Sequence, residues 1–315
     1  MGGQARRVER LSRKWARVLI PKVGWVRFRL TRPLPAAASY RVTRDRAGRW
    51  HIGFAVVPPT IPAPGTGKVV GIDRGVKVAA ATSDGALHRA PGLARGERER
   101  LRRLQKKAAR QHVRGRPASN RLRRTRRQIA VLRAREVDRR KNWVEQLTTR
   151  LAREYDVIRV EDLNVKAMTR TAGGTLAEPG RNVRQKAGLN RGILASGWGQ
   201  LVRRLEDKAP GRVEKVSAAY TSQTCAACGH RAPENRESQA VFRCAACGHT
   251  AHADINAAIN IAINIAAGRA VTARGDLDTS RSTKREPSTL SPPSGVKQLE
   301  SLDVSPGRTS SRQPT

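Results

Sequence analysis

The stretch KVVGIDRGVKVAAATSDGALHRA, residues 68–90, decides the fold class. An apolar run at residues 69–72 leads into a tight turn, a second apolar run, the turn signal Ser-Asp-Gly at 83–85 and a third short run. Short apolar runs bounded by Gly and Asp predict consecutive β-strands. Helical patterns alternate with further strands downstream, so the sequence predicts an α/β fold with a sheet of mixed direction.

The sequence upstream of this stretch predicts a smaller β domain. Residues 1–14 are polar and basic, and a disordered lead-in is expected there. The segments WARVLI, WVRFRL, SYRVTRD and RWHIGFAVV alternate apolar and polar residues around turns, so residues 15–58 are predicted to form strands. The Pro- and Gly-rich residues 59–67 are predicted to be a linker to the domain of residues 68–224.

A basic segment follows the first three strands of the larger domain. Residues 94–153 have a narrow apolar stripe with helical spacing, and a Gly-Arg-Pro break at 115–117 predicts a helical hairpin. Between residues 95 and 141 there are 20 Lys or Arg and 4 Asp or Glu. Because a face with this charge repels itself, contacts to phosphates are expected. The candidate contacts are Arg123, Arg124, Arg126 and Arg127.

The rest of the chain predicts a strand, a loop, a helix, a strand and a tail. Residues 156–163 are predicted to be a strand, and the Gly-rich residues 172–192 a mobile loop. Residues 193–209 then predict one helix, followed by another strand. Residues 268–315 are rich in Ser, Thr and Pro, and a disordered tail is expected.

The charge of the whole chain points to a polyanionic partner. It contains 63 Lys or Arg and 25 Asp or Glu, for a formal charge of +38. Aromatic residues make up 3% of the chain, so base stacking is not expected to be the main binding mode. No apolar run approaches the ~20 residues of a membrane span, and the N-terminus lacks the apolar core of a signal peptide. A cytoplasmic nucleic-acid-binding protein is therefore expected, rather than a membrane or secreted one.

Four cysteines form two pairs with matched spacing, which predicts a structural zinc site. They are Cys225, Cys228, Cys244 and Cys247. Two C-x-x-C knuckles supply four thiolates for a tetrahedral Zn²⁺, whereas a redox dithiol, the rival interpretation, needs only one pair. Three histidines stand nearby, and they are expected beside the site rather than in it; they are His230, His249 and His252. The predicted ribbon spans residues 225–247, and a last helix is expected within residues 248–267.

Acidic residues stand at the ends of three predicted elements. Asp73 follows the first apolar run, Glu161 and Asp162 end the strand at 156–163, and Asp254 opens the last helix. Converging carboxylates could share divalent metal ions. Asp73 could instead be an ordinary turn residue and Asp254 a helix N-cap. Periodicity alone does not decide between Glu161 and Asp162.

Five motifs, taken in order, resemble one known family. They are GIDRGVK, VEDLNVKAM, YTSQTCAACGH, FRCAACGH and ADINAAINI. Together they resemble the TnpB (OrfB) family of insertion-sequence nucleases, which are often labelled transposases. The resemblance covers about residues 15–267. It implies an RNase H-like (RuvC) domain with an inserted zinc ribbon, preceded by part of a β-barrel wedge domain at 15–58.

The resemblance also implies an activity. It assigns Asp73, Glu161 and Asp254 as the acidic triad that holds two Mg²⁺ or Mn²⁺ ions and hydrolyses phosphodiester bonds in DNA. It therefore selects Glu161 over Asp162. It implies DNA as a partner, RNA as a guide, and a location with the nucleoid in the prokaryotic cytoplasm. Oligomeric state is not indicated.

Two departures from the family pattern stand out. The recognition lobe that usually precedes the wedge strands is missing, so an N-terminally truncated chain with impaired guide use is expected. Arg74 stands where Leu or Ile is more usual, which a turn would tolerate. The first alternative to a nuclease is a catalytically idle nucleic-acid-binding remnant of the family. The second is a strand-transfer enzyme.

Overall fold

A computed structural model describes residues 8–35 and 39–263 of the chain. Its N-terminal part is a three-stranded antiparallel sheet of β1 (Val8–Arg10), β2 (Trp15–Ile20) and β3 (Gly24–Arg29). An antiparallel hairpin of β4 (Tyr40–Arg44) and β5 (Trp50–Phe54) follows. The four strands predicted within residues 15–58 are thus confirmed. The expected tail at 268–315 lies outside the described residues.

The expectation of a disordered lead-in is wrong for residues 8–10. These residues form β1, which pairs with β2 so that Glu9 lies opposite Arg17. The Arg17 guanidinium donates to the Glu9 carboxylate across 2.7 Å. A three-residue polar strand has no periodicity of its own, and it forms because β2 offers an edge to pair with. Residues 1–7 lie outside the described part of the chain.

The larger sheet has five strands and mixed direction, as predicted. They are β6 (Val69–Asp73), β7 (Ala80–Thr82), β8 (Leu87–His88), β9 (Val157–Glu161) and β10 (Val213–Val216). Their spatial order is β10-β9-β6-β7-β8. The three strands β6, β9 and β10 are parallel, and β7 and β8 continue the sheet through antiparallel pairings. The parallel strands end at one edge.

The predicted basic hairpin is confirmed. It consists of α1 (Arg95–Gln111) and α2 (Asn120–Glu154). Near the hairpin bend the apolar stripe packs on itself, through Leu101, Leu104 and Leu132. Towards its C-terminus α2 buries Val144, Leu147 and Leu151 against Val70, Ile72, Ile158 and Val160 of the sheet. One face of the hairpin therefore supports the sheet, while its arginines stay exposed.

Two predictions for residues 172–209 need correction. The short helix α3 (Val165–Met168) precedes the expected mobile loop of residues 172–192. The second half of that loop is helical, because α4 (Val183–Ser196) begins within it. The single helix predicted at 193–209 is broken at Gly197, whose φ of 79° ends α4 before α5 (Trp198–Lys208) begins. A left-handed backbone favours glycine. The two glycines inside α4 lowered its apparent helical propensity, and packing outweighs that cost.

The last helix lies directly on the central strand. The ribbon hairpin of β11 (Val241–Arg243) and β12 (Thr250–His252) leads into α6 (Ala253–Ala262). An added Cβ at Gly71 of β6 would overlap backbone atoms of Ala258 and Ala262, so the helix touches the strand there. The expected end of the ribbon at residue 247 is wrong, since residues 250–252 still form its strand β12, and α6 begins only at Ala253. Among the described residues, no helix is long and apolar enough to cross a membrane.

Candidate functional site

Two of the three candidate carboxylates end adjacent parallel strands. Asp73 is the last residue of β6 and Glu161 the last residue of β9. Ile72 lies opposite Val160 in the register, so the next residues, Asp73 and Glu161, leave the sheet side by side. Asp73 is a strand residue paired with Ala81 on its other side, and not the turn residue of the alternative interpretation.

Asp254 reaches the same edge from α6. The helix begins at Ala253 and runs along β6, so its first turn lies beyond the end of that strand. Its N-cap is His252, whose Nδ1 accepts a hydrogen bond from the Asp254 N–H across 3.2 Å. The interpretation of Asp254 as the N-cap is therefore wrong. Asp254 Oδ2 lies 4.0 Å from where a Cβ on Gly75 would stand, which places its carboxylate beside the loop that follows Asp73.

The three carboxylates act on one another electrostatically. Burial raises the pKa of Asp73 to about 7, and the negative charges of Glu161 and Asp254 add to the rise. Burial also raises the pKa of Glu161, against the opposing effects of Arg74 and of a hydrogen bond from Thr221. Ionised carboxylates in such surroundings need a cation to offset their repulsion. Asp162, in contrast, has an exposed side chain, so burial favours Glu161 as the member of the cluster.

Two of the three carboxylates, those of Asp73 and Asp254, line a cavity of about 290 Å³ together with several basic side chains. Its titratable lining residues include Asp73, Lys77, Arg89, Arg236, His252 and Asp254. Acidic groups that can hold cations thus share one cavity with cationic groups that can hold anions. A phosphate diester bridging a metal ion and these cations would satisfy both sets of groups.

The carboxylates are close without being arranged as tightly as the thiols. Among the described residues, only the four cysteines form a set whose ligand atoms all lie within 4.8 Å of one another. One oxygen of Asp254 accepts a hydrogen bond from Arg236 across 3.2 Å. The donor set nevertheless suits Mg²⁺ or Mn²⁺, because these ions take carboxylate oxygens and commonly keep several waters as ligands.

Sequence reasoning missed three residues around the cluster. Nothing in the sequence indicated that Arg236 lies near the carboxylate cluster, because it stands in the ribbon, 18 residues before Asp254. Thr221 donates its hydroxyl to Glu161 Oε1 across 3.3 Å. Arg74, expected only to be tolerated on a turn, is buried, and its guanidinium donates to the Glu161 backbone carbonyl. The unusual arginine at this position of the first motif could have drawn attention to it. In the structure Arg74 contacts Glu161, a member of the carboxylate cluster.

The four cysteines converge in two matching knuckles. The Cys225 N–H donates to the His230 carbonyl and the Cys244 N–H to the His249 carbonyl, both across 2.9 Å. Gly229 and Gly248 follow the two pairs with φ of 76° and 70°. His230 and His249 contribute backbone carbonyls to the knuckles, and His252 caps α6, so the thiols are left as the ligand set. The repetition of one geometry explains the repetition of the C-x-x-C-G pattern.

The thiol spacing fits a tetrahedral metal ion. Sγ atoms are 3.8 Å apart between Cys225 and Cys247 and 3.6 Å apart between Cys228 and Cys244. Zinc–sulfur bonds of about 2.3 Å at tetrahedral angles require about 3.8 Å between sulfurs. Hydrogen bonds from backbone N–H groups, that of Cys247 first, lower the pKa of Cys244 to about 6. Burial raises the pKa of Cys225, and, against a hydrogen bond from the His230 backbone, the neighbouring thiols raise the pKa of Cys228 to about 12, so the thiol spacing is the evidence for the metal. The residues present therefore suit a structural Zn²⁺.

Buried asparagines join the ribbon to α6. Asn256 donates to the Thr224 carbonyl across 2.8 Å and accepts from the Ala226 N–H across 2.9 Å. Asn260 donates to the Thr221 carbonyl across 2.8 Å and also bonds the Thr224 carbonyl. The sequence feature that could have predicted these contacts is the four-residue spacing of two asparagines in a largely apolar helix. The helix that holds Asp254 and the ribbon that holds the thiols are thus one hydrogen-bonded unit.

The structure brings three of the four candidate arginines into one cleft. Arg123, Arg126 and Arg127 line a cavity of about 610 Å³ between α2 and the β4–β5 hairpin, together with Arg44 and Arg46. Arg124 is exposed on α2 outside that lining. The cleft thus gathers five guanidinium groups from two separate elements.

The chain matches two family models. Residues 40–172 match the OrfB IS605 model, described as "Probable transposase". Residues 198–261 match the Cas12f1-like TNB domain. The first match covers β4 to α3, including Asp73 and Glu161, and the second covers α5, the four cysteines and Asp254.

Curated relatives match over most of the chain. One, named "Putative RNA-guided DNA endonuclease InsQ", from Escherichia coli (strain K12), is 37% identical over 286 residues, which cover 89% of this chain and 69% of the relative. A second, named "Putative RNA-guided DNA endonuclease", from Streptomyces pristinaespiralis, is 33% identical over 208 residues, covering 64% of this chain and 47% of the relative.

One solved structure with partial similarity to this chain is the cryo-EM structure of a Cas12f1-sgRNA-target DNA complex. The match covers 70% of this chain and 55% of that chain, at 19% identity and a TM-score of 0.36.

Proposed function

The chain belongs to the TnpB/OrfB family, and from this premise we propose that it is a metal-dependent endonuclease that hydrolyses phosphodiester bonds in DNA. The observation that carries the proposal is the convergence of Asp73, Glu161 and Asp254 at one edge of the sheet. Three acids in a chain of formal charge +38 lie where they repel one another. A function that needs bound cations accounts for that arrangement.

We further propose that the nuclease domain has the RNase H-like (RuvC) fold. Support comes from the strand order β10-β9-β6-β7-β8, in which a three-stranded antiparallel meander continues into two parallel strands through helical crossovers. This arrangement places the ends of β6 and β9 together under the first turn of α6. The N-terminal strands are proposed to be part of the wedge barrel.

In the proposed site the three carboxylates hold Mg²⁺ or Mn²⁺. Such ions lower the pKa of a bound water and offset the charge that develops on phosphate oxygens. The contribution of the chain is to position the groups. Thr221 and Arg74 hold Glu161, and α6 carries Asp254 to the strand ends. Lys77 and Arg89 can hold phosphate oxygens in the cavity that Asp73 and Asp254 line.

The cysteine cluster is proposed to bind a structural Zn²⁺. Four protein ligands leave no open position for substrate, so the zinc contributes folding free energy rather than catalysis. The asparagine contacts between the ribbon and α6 carry that order to Asp254. The zinc thus supports the nuclease site indirectly.

DNA and RNA are the proposed partners. Both curated relatives bear names that describe RNA-guided DNA endonucleases. In this chain, exposed arginines on α2 and the β4–β5 hairpin supply the positive field that phosphates need.

The experiment compares isosteric amide variants in a cleavage assay. Purified protein, family-type guide RNA and Mg²⁺ are incubated with single-stranded and plasmid DNA. Asp73→Asn, Glu161→Gln and Asp254→Asn should each reduce cleavage by at least about a thousandfold while DNA binding remains. Asp162→Asn is the matched control, and it should cleave like wild type because its side chain is exposed.

Three outcomes would contradict the proposal. Binding without cleavage by the wild type would favour an idle nucleic-acid-binding remnant. Joined DNA products would favour strand transfer. An inactive Asp162→Asn beside an active Glu161→Gln would overturn the assignment of Glu161.

A further inference from the structure

His252 stands where the ribbon, the last helix and the carboxylate cavity meet. It is the last residue of β12, where it lies opposite Val241, and it is the N-cap of α6. The next N–H group along the chain, that of Ala253, donates to the Ala240 carbonyl across 2.9 Å. The backbone on both sides of His252 is therefore held, so its Cα–Cβ bond has one direction.

The cap contact determines which ring nitrogen of His252 carries a proton. Its Nδ1 accepts a hydrogen bond from the Asp254 N–H across 3.2 Å, so Nδ1 must present a free lone pair. An imidazolium has two N–H groups and could not accept this bond, and in the neutral ring the proton then lies on Nε2. The Nε2–H group is thus a donor. Within residues 8–35 and 39–263, no group accepts a hydrogen bond from it.

The imidazole of His252 also lines the cavity of about 290 Å³ that Asp73 and Asp254 line. Lys77 and Arg89 add positive charge to the same lining. A neutral N–H group beside them contributes direction rather than charge, because a hydrogen bond weakens steeply when it bends. The oxygens of a phosphate diester suit all three of these basic or N–H groups.

Capping alone does not explain a histidine at this position. Helix N-caps are usually Ser, Thr, Asp or Asn, whose side chains accept the same bond. Asp would bring another carboxylate to a cluster whose charges already raise the pKa of Asp73. Ser, Thr and Asn are shorter and have no donor beyond the capping group. Histidine accepts at one nitrogen and donates from a second one farther from the backbone, so it can cap α6 and contact a ligand at once.

We propose that His252 is a further catalytic residue, whose Nε2–H donates to a non-bridging oxygen of the scissile phosphate. The inference rests on the proposed function and adds a contact that orients the phosphate in the cavity. The cap holds the ring before DNA arrives, so little ordering is needed when the hydrogen bond forms. Because Nδ1 stays on the helix and the proton stays on Nε2, the imidazole stabilises charge and transfers no proton.

Two isosteric variants separate the cap from the donor. His252→Asn places an amide oxygen near the Nδ1 position and has no group at Nε2, whereas His252→Gln places an amide nitrogen near Nε2 and loses the cap. His252→Asn should unfold at the wild-type temperature and cleave single-stranded DNA at least about tenfold more slowly in single turnovers at saturating DNA and Mg²⁺. His252→Gln should unfold about 2 to 4 °C lower and cleave faster than His252→Asn.

His249→Asn is the matched control for these measurements. It makes the same change in the same ribbon at a residue outside the cavity lining. Its unfolding temperature and its single-turnover cleavage rate should both match those of the wild type.

A spectroscopic measurement keeps the result readable even for protein that does not cleave. Multiple-bond ¹H–¹⁵N correlations of histidine-labelled protein at about pH 8 distinguish the two neutral tautomers. The signals missing from His252→Asn identify His252, which should have the Nε2-protonated ring. With Ca²⁺, which also takes carboxylate oxygens, a single-stranded oligothymidine of about twelve nucleotides should shift the Nε2 signal of His252 and leave that of His249 in place.

Four outcomes would overturn the role of His252. They are wild-type cleavage by His252→Asn, equal rates for the two His252 variants, an Nδ1-protonated ring, and an Nε2 signal that DNA does not shift. Slow cleavage by His249→Asn would also count against it, since the loss would then follow the ribbon rather than the donor. Wild-type protein that shows the DNA-induced shift and no cleavage would keep the phosphate contact and contradict the proposed function.

Discussion

Arg236 donates a hydrogen bond to Asp254 across 3.2 Å, and this ion pair connects the cysteine ribbon to the carboxylate cluster. Arg236 follows the short 3₁₀ helix Pro233–Asn235, which lies between the two cysteine pairs. Its positive charge also lowers the pKa of Asp73, against the larger opposing effect of burial. The ribbon thus contributes a cation that partly offsets the repulsion among the carboxylates.

Removing this cation should destabilise the protein when Mg²⁺ is absent. Arg236→Gln leaves Asp254 partly buried without its charged partner, and we expect a loss of roughly 1 kcal/mol in the free energy of unfolding. Arg243→Gln is the matched control, because it breaks the exposed pair with Glu237 in the same ribbon. The control should cost less than about 0.5 kcal/mol. Thermal unfolding in magnesium-free, zinc-replete buffer measures both, and equal losses would contradict the expectation.

The zinc proposal predicts a local loss of structure. Cys225→Ser and Cys247→Ser should each remove the one Zn²⁺ per chain and unfold the region around residues 220–250, since such ribbons have almost no core of their own. The five-stranded sheet should persist, because its core lies between β6, β9 and α2. Metal analysis and hydrogen exchange measure the two effects.

His249→Ala tests whether thiols alone form the ligand set. The structure uses the His249 backbone carbonyl, which alanine retains, so zinc content should not change. Wild-type protein that contains no zinc and has four freely titratable thiols would contradict the zinc proposal. Loss of zinc from His249→Ala would contradict the all-thiol ligand set.

The raised pKa of Asp73 predicts how stability depends on pH without divalent metal. The Asp73 carboxyl group has a pKa of about 7 in the folded chain and near 3.8 in the unfolded chain. Its protonated form therefore contributes its full stabilisation of the fold below the unfolded pKa of 3.8. That stability is lost as pH rises through about 7. Asp73→Asn should therefore be more stable than wild type at pH 8, by on the order of 2 kcal/mol, with a smaller difference at pH 4.

Urea unfolding at the two pH values, in magnesium-free buffer, measures this difference. Added Mg²⁺ should stabilise wild type at pH 8 and have little effect on Asp73→Asn. A variant that keeps the full pH dependence of the wild type would show that another group controls it.

Strand ends were predictable from sequence, and the contacts around them were not. Asp73 and Glu161 follow apolar runs, and parallel strands bring their carboxyl ends to one edge, so convergence could be expected. Arg236 could not be placed, because its approach to Asp254 depends on the path of the ribbon between the knuckles. The helix α4 was missed because its glycines lower helical propensity, which tertiary packing outweighs.

Composition does not show where the few aromatic residues lie. A content of 3% argued against base stacking as the main mode. The alternation along β2 and β3 nevertheless directs Trp15 and Trp25 to the exposed face. Cross-strand register, which joins these residues to Arg27 and Arg17, is set by the turn and the core and is not visible in composition.

The contact between α6 and β6 predicts a glycine that cannot be replaced. In Gly71→Ala the new Cβ would overlap backbone atoms of Ala258 and Ala262, which cannot move as a flexible side chain does. We expect destabilisation by roughly 3 kcal/mol or more, with loss of cleavage as α6 carries Asp254 away. Gly96→Ala is the matched control in α1, where a Cβ meets nothing within 4 Å. The Gly96→Ala variant should be as stable as wild type or more stable by up to about 1 kcal/mol. Urea unfolding measures both variants. A Gly71→Ala protein as stable as wild type would contradict the close packing of α6 on β6.

The cleft between α2 and the β4–β5 hairpin predicts that four neighbouring arginines contribute unequally to nucleic-acid binding. Arg123, Arg126 and Arg127 line the cleft with Arg44, whereas Arg124 lies outside it. Phosphates bound in the cleft would contact the first three, so Arg123→Glu, Arg126→Glu and Arg127→Glu together should weaken binding of every nucleic-acid sequence about equally. The salt slope for single strands should fall by about 2, since each lost phosphate contact removes about 0.7.

Arg124→Glu makes the same charge change one helical position away and acts as the control. Long-range repulsion should weaken binding modestly, and the slope should change by less than the value for one contact. Filter binding of RNA and single-stranded DNA from about 50 to about 300 mM salt measures the slopes. If Arg124→Glu lowers the slope as much as Arg127→Glu, phosphates follow the whole exposed surface of α2, and the cleft has no special role. If the triple variant keeps the wild-type slope, nucleic acid binds elsewhere on the chain, and the assignment of this basic helix as a phosphate contact is wrong.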